Sequence, residues 1–193
     1  MNDIVLKYTF VGNTGVGKTS LLHCLKYNDF NNIKQPTIGV DHYFIQTIIN
    51  NNTIKIHIWD TAGQERYRSI CNNFYKNSVV IFIIFDLTNK KSFDDLEYWI
   101  SETNKFKEPN SEIIIIGTKS DLEQSRMISE FEIKKYCQNK NISYYETNAK
   151  SNYIHYIINE VSFNILKINE IKKDSEKIVL SEDKHIKKRF CCL

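Results

Sequence analysis

Apolar runs and amphipathic stretches alternate along the chain, and this pattern predicts strands and helices in turn. Ile4 to Val11 is rich in β-branched and aromatic residues, as a buried strand is. Val79 to Phe85 is continuously apolar, which is typical of a central strand in a parallel sheet. Ile54, Ile56 and Ile58 alternate with polar residues, the period of a strand with one buried face. The predicted strands are Ile4 to Val11, His42 to Ile49, Thr53 to Trp59, Val79 to Phe85, Ile113 to Ile116 and Ser143 to Thr147.

The predicted helices between and after these strands are Lys18 to Lys26, Ser92 to Phe106, Ser129 to Gln138 and Ile154 to about Ile171. We interpret Ser92 as the N-cap of its helix, and Ser129 with Glu132 as a capping box. The pattern therefore predicts βα units around a mostly parallel sheet with one antiparallel hairpin, an open α/β sandwich. Sheets of this kind bind ligands at the carboxyl ends of their strands.

Composition limits the choice of function. The chain has 193 residues, 41% hydrophobic and 25% charged, which fits one domain with a buried core and a short tail. Its net charge of +3 gives no reason to expect a nucleic-acid partner. No apolar run is long enough to span a bilayer, and the N-terminus lacks a signal-peptide pattern, so we expect synthesis in the reducing cytosol. Cys24, Cys71 and Cys137 show no metal-ligand spacing and are expected to be small, partly buried hydrophobes.

A glycine-rich turn between the first strand and the first helix matches the phosphate-binding pattern G-x-x-x-x-G-K-[ST]. Its glycines let backbone N–H groups turn towards phosphate oxygens, and the helix N-terminus adds positive potential. Lys18 supplies a point charge to the β- and γ-phosphates, and the Thr19 hydroxyl is a ligand for Mg²⁺. The predicted phosphate-binding residues of this turn are Gly12, Asn13, Thr14, Gly15, Val16, Gly17, Lys18, Thr19 and Ser20. Alone, the motif indicates only a phosphate-binding NTPase.

A polar segment directly after the second hairpin strand narrows this interpretation. Asp60 is placed to hold the metal, directly or through water, and the Gly63 N–H to meet a γ-phosphate. Gln64 is placed to orient an attacking water. Thr37, in the loop before the hairpin, is expected to close over the metal when the γ-phosphate is present. We therefore predict Thr19, Thr37 and Asp60 as metal ligands, Thr37 and Gly63 as phosphate contacts, and Gln64 as the catalytic residue.

Two more polar segments follow the last two strands, where a nucleotide base is expected. A carboxylate at Asp121 accepts both N1–H and N2–H of guanine, a donor pair that adenine lacks. Lys119 is expected to lay its alkyl stem along the base, and the Ala149 N–H to meet guanine O6. The predicted guanine-binding residues of these segments are Thr118, Lys119, Asp121, Asn148, Ala149 and Lys150.

With these motifs in order over residues 4–171, the chain resembles the Ras superfamily of small GTPases and, within it, the Rab family. The Rab-like stretches are Ile38 to Asp41, Lys55 to Asp60, Glu65 to Ile70 and Asp86 to Phe93. The resemblance implies a P-loop NTPase three-layer sandwich, with a six-stranded, mostly parallel sheet and five flanking helices, in a domain of residues 1–171. It also implies that Phe30 is the aromatic that lies against guanine.

A Rab-like protein is expected to be a GTP/GDP switch that requires Mg²⁺, hydrolyses GTP slowly and recruits effectors to membranes in vesicle trafficking. Loss of the γ-phosphate would release the contacts of Thr37 and Gly63, an order–disorder transition. The resemblance implies as partners a guanine-nucleotide exchange factor, a GTPase-activating protein, a dissociation inhibitor or escort protein, a prenyltransferase and effector proteins.

Several positions depart from the Rab pattern, and three of them are at predicted site residues. Thr118 stands where Asn is usual, which predicts retained guanine selectivity with faster nucleotide release. Asn148 stands where Ser is usual, a small polar change. His42 replaces a Phe that contacts effectors in Rabs together with aromatics matching Trp59 and Phe74. A histidine there indicates either an unusual effector set or a tolerated exposed ring.

Residues 172–193 are polar and charged, which predicts a flexible tail. A basic run from Lys184 to Arg189 precedes Cys191 and Cys192, and the position needed for a C-a-a-X box is Phe190. The Cys-Cys-X ending resembles a Rab ending that carries two geranylgeranyl groups, and two lipids, or a lipid with a basic patch, hold a protein at a membrane. We therefore expect a lipid-anchored protein on the cytoplasmic face of intracellular membranes that cycles with the cytosol. The alternative is a solvated tail with two exposed thiols.

Three other functions fit parts of the sequence. The first is a signalling GTPase of the Rho or Ras branch. Thr118 is similar to the residue of some Rho-type GTPases, but no helical insert follows Asp121 and the prenylation box of these branches is missing. The second is a guanine-nucleotide-binding scaffold with little hydrolysis. Gln64, Thr37 and Lys18 argue against it, and His42 and Thr118 leave it open. A P-loop nucleotide kinase is the third, and it would need lid arginines that the sequence does not offer.

Overall fold

The computed structural model describes residues 4–29, 37, 39–62 and 74–168. The chain divides into two compact units, Met1–Ile157 and Ile158–Leu193. The second unit is described only over residues 158–168, where it is helical. The predicted tail lies outside the described residues, so the domain boundary at residue 171 stays a prediction.

The first unit contains a six-stranded sheet in the order β2-β3-β1-β4-β5-β6. The strands are β1 (Ile4–Val11), β2 (Val40–Ile49), β3 (Asn52–Thr61), β4 (Val80–Asp86), β5 (Glu112–Thr118) and β6 (Ser143–Glu146). β2 and β3 pair antiparallel, and all other neighbours pair parallel. The β2–β3 turn is made by Asn50 and Asn51, whose φ angles of 49° and 60° lie in the left-handed region that Asn tolerates. All six predicted strands and the α/β fold class are confirmed.

The helices of the described residues are α1 (Lys18–Tyr27), α2 (Lys90–Asp94), α3 (Leu96–Phe106), α4 (Glu130–Lys140) and α5, residues 153–168. A 3₁₀ turn, Glu123–Ser125, lies between β5 and α4. At the start of α4, Ser129 Oγ accepts a hydrogen bond of 3.1 Å from the Glu132 N–H, which confirms Ser129 as the N-cap. The Glu132 carboxylate bonds Lys90 instead, at 2.8 Å.

The predicted helix from Ser92 to Phe106 is wrong in its start and in its continuity. Asn89 is the N-cap, since its side chain accepts a hydrogen bond from the Ser92 N–H. Ser92 lies inside the first turn, and its hydroxyl bonds the Asp86 N–H and the Asn89 carbonyl. Asn and Ser are both good N-caps, and the buried contacts of Ser92 decide between them. The segment then forms two helices, α2 and α3, joined at Asp95.

The core of the first unit lies on both faces of β4, whose seven residues are all buried. On one face, Ile83 and Phe85 pack in a cluster with Trp99, Ile133 and other apolar residues of α2 to α4. On the other face, the Phe82 ring contacts the rings of Tyr8 and Phe10 at centroid distances of 5.6 and 4.9 Å. Each such side chain contributes about 1.5–3 kcal/mol on burial. The sheet is therefore a rigid support for the loops at its carboxyl edge.

Cys24 and Cys137 are buried free thiols, as predicted. Burial raises the pKa of Cys137 to about 12, which makes it chemically inert. Cys71 lies outside the described residues. Among the helices that the structure describes, none has the length and apolarity required to cross a membrane.

Candidate functional site

The carboxyl ends of the five parallel-paired strands meet along one edge of the sheet. The loops that carry the predicted phosphate, metal and base contacts begin there, after β1, β3, β5 and β6. The register fixes their neighbourhood, because Phe10 pairs with Asp60, and Gly117 pairs with Glu146. The structure therefore brings together motifs that are far apart in sequence.

The phosphate loop passes close to the backbone of β4 directly after β1. Gly12 has a φ of 140°, and a Cβ at this position would lie 2.1 Å from the Ile84 carbonyl oxygen. Gly17 has a φ of 99° and caps the N-terminus of α1. Glycine has no Cβ to meet the Ile84 carbonyl at position 12, and it adopts the positive φ of position 17 without strain. The path of the loop therefore depends on these two glycines. The predicted context of strand, glycine turn and helix is confirmed.

Lys18 fills the inside of this loop. Its side chain is buried, and its ammonium donates to the Gly12 carbonyl at 2.8 Å and to the Asn13 carbonyl at 2.9 Å. A buried ammonium at the N-terminus of α1, where backbone N–H groups are unpaired, creates strong positive potential. The loop is thus suited to bind an anion such as a phosphate group.

Thr19, Thr37 and Asp60 converge beside the loop, as predicted for metal ligands. Thr19 Oγ1 lies 2.7 Å from Thr37 Oγ1 and donates to Asp60 Oδ2 at 2.5 Å. Asp60 is fully buried, and within the described part of the chain its Oδ1 has no hydrogen-bond partner. Burial raises the pKa of Asp60 to about 6, although Thr19, Lys18 and Thr37 act to lower it. The two threonine hydroxyls lie at Oδ2 of this carboxylate and leave Oδ1 unpaired. A buried carboxylate with a free oxygen beside two hydroxyls fits a hard cation such as Mg²⁺.

A cleft of about 290 Å³ opens between the phosphate loop and the loops after β5 and β6. Its lining includes three residues of the phosphate loop and α1, namely Gly15, Gly17 and Ser20, and five predicted base contacts, namely Thr118, Lys119, Asp121, Ala149 and Lys150. The cleft is therefore bounded by the two kinds of predicted contact, for phosphate on one side and for a base on the other.

Thr118 connects these two sides. Its hydroxyl is buried and lies 2.5 Å from the Val16 carbonyl of the phosphate loop and 3.0 Å from the Phe85 carbonyl of β4. A hydroxyl has one proton, so it donates fully to only one of these oxygens at a time. The direct role of Thr118 is thus to hold the phosphate loop, and a contact with the base stays a prediction.

Ion pairs hold the base-side loops in place. The Lys119 ammonium bonds Asp86 Oδ2 at 2.6 Å, while Asp86 Oδ1 accepts from the Thr88 N–H and hydroxyl at 2.8 and 2.7 Å. Lys150 bonds the Asp121 carboxylate at 2.6 Å. Asp86 was not predicted as a site residue, although its place at the end of β4 was a usable signal.

The loop after β6 has its own internal support. The Asn148 amide donates to Ser120 Oγ at 3.1 Å, and its oxygen accepts from the Lys150 N–H at 3.0 Å. Burial opposes ionisation of Glu146, but hydrogen bonds from Arg126 and Tyr144 hold the pKa of this carboxyl below its usual value. Asn148 therefore shapes the loop, and its contact with a base stays a prediction.

Asn13 points its side chain away from the cleft. Its amide nitrogen donates to Asp95 Oδ2 at 2.6 Å, and its oxygen accepts from the Trp99 indole N–H at 2.7 Å. Any phosphate contact of Asn13 must therefore use the backbone. The sequence offered no signal for this link, because the partners are more than eighty residues away.

The predicted effector residues form a contiguous group on the outer face of the hairpin. The rings of His42 and Trp59 lie 4.7 Å apart, and those of Trp59 and Phe74 lie 5.0 Å apart. His57 joins this group through His42 and was not predicted, although strand alternation places it on the same face as Trp59. The remaining predicted residues, Phe30, Gly63, Gln64, Cys191 and Cys192, lie outside the described residues.

Comparisons with known proteins agree with this geometry. The family model described as Ras family matches residues 7–168. The chain is 37% identical to Ras-related protein RABA6b of Arabidopsis thaliana, over 78% of this chain and 66% of that protein. It is 39% identical to Ras-related protein Rab-1 of Theileria parva, over 77% and 68%, respectively. It is also 35% identical to a probable Rab-related GTPase of Acanthamoeba polyphaga mimivirus, over 91% and 84%.

The chain thus spans about two thirds of the length of the Arabidopsis relative. These comparisons confirm the prediction of a Rab-like small GTPase. They do not favour the Rho- or Ras-branch and scaffold alternatives.

Asp60→Asn is expected to remove most of the Mg²⁺ dependence of GDP release, because the amide keeps the shape but not the charge that holds a hard cation. GDP release should become faster at saturating Mg²⁺ and nearly insensitive to EDTA. Stopped-flow release of a fluorescent GDP measures this. Asp94→Asn, an exposed acid on α2, is the matched control. An EDTA response equal to that of the wild type would exclude Asp60 as a ligand.

Trp99→Phe is expected to accelerate GDP release by about 2–10-fold, the equivalent of one lost hydrogen bond of about 0.5–1.5 kcal/mol. The ring still fills its place in the core, but Asn13 loses its indole donor. Asn13→Ala should give a similar acceleration, and the double variant should be no faster than either single variant. Additive effects in this cycle would show that the two residues act independently.

Proposed function

Because the chain belongs to the Ras family and is a Rab-like small GTPase, we propose that it is a GTP/GDP switch that hydrolyses GTP slowly and recruits effectors to membranes in vesicle trafficking. The observation that carries the proposal is the convergence of the phosphate loop, the Thr19–Thr37–Asp60 group and the Asp121 loop around one cleft. Each group supplies one part of a guanine nucleotide site.

Different residues of this chain are proposed to bind the phosphates and the metal ion. Lys18 and the N-terminus of α1 neutralise phosphate charge, and they do so from a loop whose path Gly12 fixes. Thr19, Thr37 and Asp60 would hold Mg²⁺. When bound, Mg²⁺ draws negative charge from the phosphate oxygens. Thr37 lies before β2, whereas Thr19 lies in the first turn of α1, so we expect the contact of Thr37 to depend on what occupies the site.

Asp121 selects the base in this proposal. Its carboxylate accepts the N1–H and N2–H of guanine, and Lys150 holds it in place at 2.6 Å. Lys119, fixed by Asp86, gives the base an alkyl surface to lie on. The loops on this side are tied to the phosphate loop through Thr118, so base and phosphate binding support each other.

The membrane part of the proposal rests on the sequence of the tail. Cys191 and Cys192 would carry geranylgeranyl groups, and the basic run before them would add attraction to anionic lipids of about 1 kcal/mol per residue. Exchange factor, activating protein, dissociation inhibitor or escort protein, prenyltransferase and effectors are the proposed partners. The proposed location is the cytoplasmic face of intracellular membranes.

Titration of nucleotide-free protein tests the nucleotide assignment first. We expect tight binding of fluorescent GTP and GDP, no comparable binding of ATP, and slow single-turnover hydrolysis. Asp121→Asn should weaken guanine binding and shift the preference towards xanthine nucleotides, whose C2 oxygen accepts from an amide. Equal affinity of the wild type for ATP and GTP would refute the base assignment.

Gln64→Leu is expected to slow GTP hydrolysis by about 10²-fold, because an apolar side chain cannot orient the attacking water. GTP affinity should change little, which separates chemistry from binding. Phosphate release in single-turnover experiments measures the rate, with Gln46→Leu on β2 as a control. Hydrolysis at the wild-type rate, alone and with an activating protein, would assign catalysis elsewhere.

Replacement of both Cys191 and Cys192 by Ser is expected to leave the protein in the soluble fraction of cells, since the basic run alone binds membranes only weakly. Fractionation and mass spectrometry of the C-terminal peptide measure location and lipid. Cys137→Ser, in the core, is the control. Membrane association of the double variant equal to that of the wild type would contradict the lipid anchor.

A further inference from the structure

Two histidines face each other on the exposed side of the β2–β3 hairpin. His42 Nε2 and His57 Nδ1 lie 2.9 Å apart, so one ring donates its N–H to the other. The ring centroids are 5.0 Å apart and the planes differ by 23°, so the two nitrogens point towards each other nearly in the ring planes. The pair thus places two imidazole nitrogens side by side at the surface.

The separation of these nitrogens suits a shared ligand. If a metal ion bonded both nitrogens at about 2.1 Å, the usual imidazole–metal length, the nitrogen–metal–nitrogen angle would be about 90°. This follows from the observed nitrogen separation of 2.9 Å. Adjacent ligands in octahedral and square-planar sites make the same angle.

The strand pairing already holds the two side chains together, since His42 lies opposite Trp59, and Phe44 lies opposite His57. To bind a shared ion, each ring must turn by about 45°, because the two nitrogens now point at each other rather than at a common position. The strand pairing keeps the side chains adjacent during this turn.

We propose that His42 and His57 bind one divalent first-row transition-metal ion, such as Ni²⁺, Cu²⁺ or Zn²⁺, across β2 and β3. Imidazole nitrogen is a preferred ligand of these ions. Among the described residues, no group of three or more His, Cys, Asp or Glu side chains converges, so water completes the coordination. On binding, the shared N–H proton moves through water to the other nitrogen of its own ring, and both rings bind as neutral imidazoles.

The surroundings set the strength and the pH dependence of this site. Burial, His57 and Lys26 lower the pKa of His42, so its ring is neutral and free to bind at neutral pH. Lys26 from α1 and Lys7 from β1, whose ammonium lies 5.8 Å from the Trp59 ring, add positive charge that weakens a cation site. Asp41 lies on the other face of β2 by strand alternation. The site is therefore expected to be weakened by the two lysines and to lose affinity when acid protonates His42.

Trp59 provides a local readout, because the His42 ring lies 4.7 Å from its indole. A paramagnetic ion held by His42 would quench its fluorescence. The other of the two tryptophans, Trp99, is buried in the core and contributes a constant background. Trp59→Phe removes the signal and identifies its source.

The test is a Ni²⁺ titration of the full chain, loaded with GDP and excess Mg²⁺ so that the nucleotide site is filled. We expect saturable quenching with one ion per chain, and a Zn²⁺-dependent rise of the melting temperature that reports the cross-link between β2 and β3. Apparent affinity should fall only below about pH 6.5, the ordinary imidazole value, because the lowered pKa of His42 keeps its ring neutral down to that range.

His42→Gln and His57→Gln should each weaken Ni²⁺ binding by at least about tenfold, because each removes one of two ligands. His42→Phe should do the same while it keeps an aromatic ring against Trp59. His23→Gln, the same change on α1, should leave the midpoint unchanged. Quenching with the wild-type midpoint in either pair variant, or no saturable quenching in the wild type, would overturn the proposal. GDP release, which does not involve this pair, is the separate test of the nucleotide site.

Discussion

The close approach of the phosphate loop to the backbone of β4 is the constraint on which the site depends. A Cβ on residue 12 would lie 2.1 Å from the Ile84 carbonyl oxygen, so only glycine allows this approach. Two further contacts hold the loop. The Lys18 ammonium donates to the Gly12 carbonyl at 2.8 Å, and the Thr118 hydroxyl of β5 lies 2.5 Å from the Val16 carbonyl. The Thr118 contact links the phosphate side of the cleft to the base side.

Two buried aspartates at the same sheet edge differ in their hydrogen bonding, and the difference indicates which one is structural and which one is available to a ligand. Asp86, at the end of β4, has both oxygens paired, one with Lys119 and the other with Thr88. Asp60, near the end of β3, has one oxygen bonded to Thr19 and the other unpaired within the described residues. A buried polar atom without a partner costs about 1–3 kcal/mol. The proposed Mg²⁺ would remove that cost at Asp60, whereas Asp86 has both oxygens paired without a ligand.

The sequence was sufficient for the sheet and for the location of the site, because long apolar runs and a strand–turn–helix motif are local signals. It was insufficient where several local choices were nearly equal or where partners were distant. Asn89 and Ser92 are both competent caps, and the hydrogen bond between Ser92 Oγ and the Asp86 N–H in the folded chain decides between them. The Asn13–Trp99 bond and the His42–His57 pair join residues whose proximity depends on packing and strand register. Sequence patterns could place each residue on a face but could not pair them.

β3 joins the metal group to the outer surface through the geometry of a single strand. Successive side chains of a strand point to opposite faces, so Asp60 lies in the buried site while its neighbour Trp59 lies outside against His42 and Phe74. Any shift of β3 that accompanies a change at Asp60 must therefore move Trp59 as well. The antiparallel pairing of His42 with Trp59 carries the same shift into β2. A ligand bound inside would thus shift the outer face, which is the proposed effector surface, through the rigidity of the strand pair alone. The same strand pairing keeps His42 and His57 next to each other. A metal ion bound by this pair would therefore act on the same outer face.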